Sequence, residues 1–363
     1  MNDFQNIPSC SIHELTLDIF NGLGRIKEHL SKMVFLEMLS NSYYNTALVV
    51  LGVLILLVLG KYYFNGGKCR IQKNLDGKVV IITGANTGIG FASAVVLARL
   101  GATVIIGCRS IERGTKALAD IKEQSKKSNV EFIQLDLADT GSIRNFVKEF
   151  KSRHKRLDIL INNAGVMGMV KREETKDKYE MTIGVNHLGH FLLTHLLIDT
   201  LKASAPARII NVSSIIHFLG KIKWSDFMHE KSYNHWSAYS QSKLANILIT
   251  KKLARTYEKD QIKTVCLHPG VIKSEIIRYY MSNMVKKAIV FLGQWIYWYF
   301  SKNALQGAQT TLYCALEDYD KLVNGGYYTD CSLARESKAA RSIEDADRLW
   351  IESYRLLKLE GSL

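Results

Sequence analysis

Two kinds of apolar pattern alternate along most of the chain. Short runs rich in β-branched residues recur at VVIIT (79–83), TVIIG (103–107), EFIQL (131–135), DILIN (158–162), RIINV (208–212) and KTVCLH (263–268). Longer stretches with helical spacing follow them, such as FASAVVLARLG (91–101) and SIRNFVKEFKSR (142–153). A continuous apolar strand suits a sheet covered on both faces, and strand–helix alternation supplies the crossovers of a parallel one. The expected fold is α/β, a doubly wound parallel sheet in a single domain over residues 76–363. Such sheets place ligands at the C-terminal ends of their strands, so the residues just after each strand are the ones to read for chemistry.

A third pattern precedes the domain. Residues 38–60 carry no charge, and the purely apolar part is Ala47–Leu59. Tyr43 and Tyr44 stand before it; Lys61, Tyr62, Tyr63 and Phe64 stand after it. Aromatic rings at both borders and a snorkelling lysine at one are the interfacial pattern of a bilayer span. A helix from 43 to 64 measures about 33 Å at ~1.5 Å per residue, close to a hydrocarbon core of ~30 Å. One membrane anchor is expected at 43–64, after an N-terminal extension (1–42) and before a basic linker (65–75). A cleaved signal peptide fits poorly, since the apolar run starts far from Met1. SIHE (11–14) is a candidate capping box in the extension. Lys61, Lys68, Arg70, Lys73 and Lys78 follow the span, against Arg25, Lys27 and Lys32 before it, which favours a single-pass protein with its domain facing the cytosol.

Composition narrows the field. With 47% apolar and 23% charged residues the chain reads as globular, and three prolines leave no Pro-rich linker. The net charge of +14 raises nucleic acid, but the basic residues are spread, no recognition motif accompanies them, and KSRHKR (151–156) reads as the solvated end of a helix. Basic surface also suits an anionic cofactor or an anionic leaflet. The six cysteines form no C-x-x-C pair, which fits a reducing compartment and argues against structural zinc. HLGH (187–190) lacks the glutamate of a metal-binding helix, so helix packing accounts for it and no metal is expected.

After the first strand comes TGANTGIG (83–90). Gly84, Gly88 and Gly90 between strand and helix allow a tight turn and close approach of a pyrophosphate, which the helix N-terminus attracts. The spacing is G-x-x-x-G-x-G, and a glycine loop alone would also suit an ordinary turn. After the second strand Arg109 stands where an NAD-selective protein offers a carboxylate to the ribose; an arginine there suits a 2′-phosphate and points to NADP(H). Asp136 begins DLAD after the third strand, and NNAG (162–165) follows the fourth. YSQSK (239–243) places a tyrosine and a lysine four apart, one helical turn.

With TGANTGIG, NNAGVM, NHLGHF, NVSS, YSQSK and HPG in this order, residues 76–360 resemble the short-chain dehydrogenase/reductase family, whose fold is Rossmann-type. NHLGHFLLT (186–194), VSSIIH and YSQSKLANIL resemble its membrane-anchored, retinol dehydrogenase-like group. The resemblance implies a catalytic set of Tyr239 as general acid/base, Lys243 as its partner, Ser214 orienting the substrate carbonyl (Ser213 being the alternate), and Asn186 in a proton relay. It implies cofactor contacts from Gly84, Ala85, Asn86, Thr87, Gly88, Ile89 and Gly90, from Asn162, Ala164 and Gly165, and from Pro269, Gly270 and Ser274. Ser274 replaces a common threonine but keeps the hydroxyl. Asp136 and Leu137 would lie near the adenine. It also implies an endoplasmic reticulum location.

Glu275–Gln306 is the segment that covers the substrate cleft in this family, and here it holds YYM (279–281) and AIVFLGQWIYWYF (288–300). A core helix, a lipid-substrate lining and a surface dipping into the bilayer all fit this composition. The 216–238 stretch carries Trp224 and Trp236, for which packing is the expected role. The expected activity is NADP-dependent interconversion of a lipophilic alcohol and its aldehyde or ketone, of retinoid, steroid or isoprenoid type. A non-catalytic NADP-binding scaffold at a membrane is the alternative. Membrane lipids and a small lipophilic substrate are the expected partners, nucleic acid is not, and a homo-oligomer is compatible with the sequence.

Overall fold

The computed structural model describes residues 42–167, 170–272, 299 and 301–359. The chain divides into two units, one ending at Tyr63 and one beginning at Phe64. The first contains helix α1 (Ser42–Phe64) up to its last residue. Val49, Leu51, Leu54, Leu56 and Val58 are all exposed, so the helix presents apolar side chains all round. Such a surface suggests a membrane anchor, since a helix lying on a globular protein keeps one polar face.

The second unit is built on β1 (Val79–Thr83), β2 (Thr103–Cys108), β3 (Val130–Gln134), β4 (Ile159–Asn162), β5 (Ala207–Val212), β6 (Ile262–His268), β7 (Tyr327–Thr329) and β8 (Ser332–Ala334). Their order is β3-β2-β1-β4-β5-β6-β7-β8. All neighbours pair in parallel except β7 with β8. The expected Rossmann-type sheet is therefore present. Its order reverses between β1 and β4, which opens a crevice at the C-terminal strand ends. The six strands read from β-branched runs fall within a residue or so of their expected places. Strands β7 and β8 extend the sheet beyond them.

Helices α2 (Gly88–Arg99), α3 (Ile111–Ser125) and α7 (Ala304–Leu316) cover one face; α4 (Thr140–Arg153), α5 (His190–Ala203), α6 (His235–Thr256) and α8 (Ile343–Leu356) cover the other. The strand side chains divide accordingly. Ile81 and Ile105 pack with Phe146, Leu197, Ile247 and Leu349 on one side; Val80 and Ile82 pack with Leu97, Ile121 and Leu312 on the other. Two apolar layers around continuous apolar strands explain why the sheet sequences show no polar alternation. The continuous helical stretch Met181–Ala203, which ends in α5, is long and apolar enough to resemble a span, but most of it is buried in the fold.

Helix ends follow the sequence. Asp139 caps α4 by accepting from Gly141 and Ser142 N–H, and Asn234 caps α6 by accepting from Ser237 N–H at 3.0 Å. The basic run at 151–156 starts in the last turn of α4, which ends at Arg153, and continues past it to Arg156, which pairs with buried Asp158. SIHE (11–14), Ser274 and most of the 275–306 segment lie outside the described residues.

Candidate active site

The glycine loop leaves β1 at Thr83. Gly84 (φ +67°) and Gly88 (φ +61°) adopt the left-handed conformation that side chains disfavour. A Cβ at Gly84 would collide with Ala164, and one at Gly90 with the backbone of Gly84 and Ala85. The loop is thus as tight as its composition suggested. Thr87 opens α2 from extended backbone without a side-chain cap, so no hydroxyl competes for the first N–H groups of the helix. Glycine-lined backbone and an uncapped helix start fit a dinucleotide pyrophosphate.

Thr83 itself organises the floor. Its Oγ1 accepts from the N–H groups of Asn163 and Ala164, both at 2.9 Å. Its proton is then left for His190 Nε2, 2.9 Å away, while His190 Nδ1–H donates to the carbonyl of Asn186 at 3.1 Å. This fixes a neutral tautomer, and burial lowers the ring pKa to about 4.

Asn186 lies in a π-helical stretch, Gly184–Gly189, just before α5. Its amide grips Val166 at two points, accepting from Val166 N–H at 2.8 Å and donating to Val166 O at 2.9 Å, and donates also to Ser242 Oγ at 3.0 Å. A Cβ on Gly165 would sit 3.3 Å from both Asn186 Oδ1 and Lys243 Nζ. Gly84, Ala164, Gly165 and Lys243 therefore lie in close succession from the glycine loop to the YSQSK helix.

On α6, Tyr239 and Lys243 stand one turn apart, with Lys243 Nζ 5.7 Å from the phenol ring centre. Burial lowers the Lys243 pKa to about 8. Its ammonium donates to Val212 O at 3.2 Å and pairs with no carboxylate among the described residues. Burial raises the pKa of the half-buried Tyr239 phenol, and the Ser214 side chain bonded to it acts in the opposite direction. Ser213 points the other way, donating to Lys243 O at 2.7 Å, so Ser214 is the serine that meets Tyr239.

Two histidines hold the Ser214 turn, and neither was singled out in the sequence. Ser337 N–H donates to His217 Nε2 at 3.2 Å, which leaves Nδ1–H to donate to Ser214 O at 2.7 Å. His268 Nδ1 accepts from Ile215 N–H at 3.2 Å. Burial keeps both rings neutral, lowering His268 to about 4. A single histidine in a loop or at a strand end carries no sequence signal for such a role. His187 of HLGH does pack, bonded to Ser353 Oγ at 2.8 Å, whereas His190 supports the floor of the site.

The remaining positions are mixed. Arg109 is exposed just beyond β2, and its guanidinium pairs with no carboxylate among the described residues. Ile89 is half-buried at the start of α2, and Asn86 lies in the loop before it. Asp136 turns its carboxylate onto Ala138 N–H at 3.0 Å, and Leu137 is buried. Asn162 is directed inward, donating to Asn211 Oδ1 at 2.8 Å and Thr194 Oγ1 at 3.1 Å, beneath the crevice rather than into it. Pro269 and Gly270 follow β6 at the same edge, Gly270 with φ +91°. Trp224 packs, donating to Asp345 at 3.0 Å under the Arg348 guanidinium, but Trp236 is exposed.

The comparisons with known proteins agree with this architecture. The sequence model for short chain dehydrogenase matches residues 78–284. Retinol dehydrogenase 12 of Homo sapiens is 46% identical over 295 residues, which cover 81% of this chain and 91% of that protein. Retinol dehydrogenase 13 of Homo sapiens is 43% identical over 305 residues, 84% and 92% of the two chains. Among solved structures, an uncharacterized protein from Mycobacterium Paratuberculosis superposes with a TM-score of 0.65 at 32% identity, covering 81% of this chain and 98% of its own. The chain belongs to the short-chain dehydrogenase family. It is an oxidoreductase of a family that works with NAD or NADP.

Proposed function

We propose that this protein is an NADP(H)-dependent oxidoreductase that interconverts a lipophilic alcohol and its aldehyde or ketone while anchored by α1. The observation that carries the reading is the Ser214–Tyr239–Lys243 cluster, joined to the glycine loop through Ala164 and Gly165. When bound, the nicotinamide dinucleotide gives or takes the hydride. Gly84–Gly90 and the start of α2 hold its pyrophosphate, and Arg109 takes a 2′-phosphate.

The chain's own residues handle the proton. In the reducing direction Ser214 Oγ and the Tyr239 hydroxyl bind the substrate carbonyl oxygen, and Tyr239 O–H gives it a proton as negative charge develops. Lys243, cationic below about pH 8, stabilises the phenolate left behind. Its amine has three donors, and Val212 O occupies one, leaving two for the ribose hydroxyls. Asn186, clamped on Val166 and Ser242, holds the wall beside Lys243 from which that proton is replaced. In the oxidising direction the same atoms act in reverse.

Two observations support a lipophilic substrate. Ile215, Phe218 and Leu219 stand exposed directly after Ser214. The relatives at 43–46% identity are named retinol dehydrogenases, which makes retinoids the first class to try. The excess of lysine after α1 supports a cytosolic domain, and the retinol dehydrogenase-like resemblance supports the endoplasmic reticulum. The test is oxidation of NADPH, with NADH alongside, by the detergent-solubilised chain over retinaldehyde, steroid ketones and isoprenoid or fatty aldehydes. Turnover of one lipophilic class with NADPH preferred is expected. Turnover restricted to small polar carbonyls, or a preference for NADH, would contradict the reading.

A further inference from the structure

The segment between anchor and sheet is fastened at a particular place. Gly66 takes φ +73°, and a Cβ there would overlap the Lys302 amine and the Asp330 carboxylate; a Cβ on Gly67 would overlap the Asp330 backbone. No side chain fits at either position, so the chain is pressed onto Asp330 only two residues after Phe64. Asp330 follows β7, whose Thr329 pairs with His268 at the end of β6. Lys302 bonds Asp330 at 2.6 Å, and its side chain also fills the space beside Gly270. From there the chain descends along α7, with Cys69 N–H bonded to Gln309 at 3.0 Å, and reaches the opposite edge where Leu75 N–H meets Leu100 O at 2.8 Å. It therefore enters the domain at the C-terminal edge of the sheet, the edge of the candidate active site.

That edge is also the apolar one. Val170 after β4, Ile215, Phe218 and Leu219 after β5, Trp236 at the start of α6 and Val271 after β6 are each between 44% and 74% exposed. Exposed Lys171 and Lys221 flank them in sequence. The N-terminal edge instead carries an open polar groove lined by Gln72, Lys73, Asn74, Asp76, Arg99 and Lys127.

We propose that the C-terminal edge of the sheet is a membrane-docking surface: these apolar side chains enter the leaflet that holds α1, and the site mouth opens onto the bilayer. A two-residue tether reaches only about 7 Å, so the edge that it serves cannot move far from the leaflet. Apolar side chains beside basic ones are the composition that partitions into a lipid interface. Substrate then enters from the acyl region without crossing water. The proposal rests on reading α1 as the anchor and deepens the lipophilic-substrate reading, but its test involves no turnover.

The full chain, carrying either Leu219→Cys or Val323→Cys, is labelled with a small fluorophore and reconstituted in phosphatidylcholine–phosphatidylserine vesicles. Val323 is exposed in the loop that leads into β7, at the opposite edge. Label on native cysteines is measured with the unsubstituted chain and subtracted. Expected is quenching at position 219 by acyl-chain spin-labelled lipid several-fold stronger than at 323, with iodide in the buffer showing the reverse preference. Equal iodide access at both positions without lipid quenching at 219 would overturn the docking surface, as would equal lipid quenching at both. Either result leaves the enzymatic reading untouched, because that fails only on turnover.

Discussion

The two edges of the sheet treat charge differently. At the N-terminal edge two buried charges, Asp158 and Arg208, have all-round hydrogen-bond partners. Asp158 accepts from Lys78 at 2.9 Å, from Arg156 at 2.7 Å and from Val79 N–H at 3.0 Å. Buried Arg208 donates to the carbonyls of Cys314, at 2.9 Å, and Glu317 at the end of α7. At the C-terminal edge, Lys243 is buried beside a phenol and a serine, and among the described residues its ammonium bonds a backbone carbonyl alone. A buried cation with few partners is open to a ligand, whereas a carboxylate held by two cations and a backbone N–H is not. Asp158 is thus committed to structure at one edge, whereas Lys243 keeps donors free for a ligand at the other.

The largest expected effect comes from removing those donors. Lys243→Met should lower turnover on the order of 10²–10⁴-fold, the range of acid–base catalysis. Thermal stability should hold or rise, since a desolvated charge is gone; a loss of folding without a specific loss of turnover would contradict the comparison. Asp158→Ala is the converse experiment. Removing this acceptor strands Val79 N–H but leaves Lys78 and Arg156 partly exposed to water, so the loss should be about 1.5–3 kcal/mol in denaturant unfolding, while turnover per folded molecule stays unchanged. Burial pushes the Asp158 pKa up, but the bonds from Arg156, Val79 and Lys78 outweigh it and hold it below its ordinary value. Its stabilisation is therefore present above the unfolded value of ~4 and lost as pH falls through the lowered folded value. Acid unfolding of wild type against Asp158→Asn measures that loss, because the variant should lack this part of the acid transition.

Two smaller effects sharpen the comparison. Arg109→Ala should raise KM for NADPH about 10–100-fold, matching ~1.5–3 kcal/mol for a charged hydrogen bond, with little change for NADH. His217→Phe removes the donor on Ser214 O. A roughly 10-fold lower kcat with KM for NADPH unchanged is expected, because a small misplacement of a reacting group costs rate rather than cofactor affinity. Equal losses in both parameters would make His217 a packing residue only.

Much of this was legible in the chain because the signals are local. Each β-branched run stands for a strand covered on both faces, and TGANTGIG announces a turn that only glycine can make. Strands β7 and β8 were not read, since YYT and SLA are three residues each and their pairing is set by distant β6. Ser213 and Ser214 look alike in the sequence, and the fold distinguishes them: Ser213 bonds back to α6, while Ser214 meets Tyr239. Asn162 reads like a cleft residue beside Ala164 and Gly165, yet its side chain is directed into the core, where Asn211 and Thr194 receive it. His190, His217 and His268 gain their roles from partners up to 120 residues away. The docked linker was legible only as two glycines; what they press against is tertiary.

The most direct measurement compares wild type and Tyr239→Phe for NADPH affinity and for NADPH oxidation with a lipophilic aldehyde in detergent. The account predicts unchanged affinity, because the hydroxyl serves the proton and not the dinucleotide, together with loss of turnover on the order of 10²-fold or more. Full turnover in Tyr239→Phe would contradict the central claim that this phenol, set between Ser214 and Lys243, moves the proton.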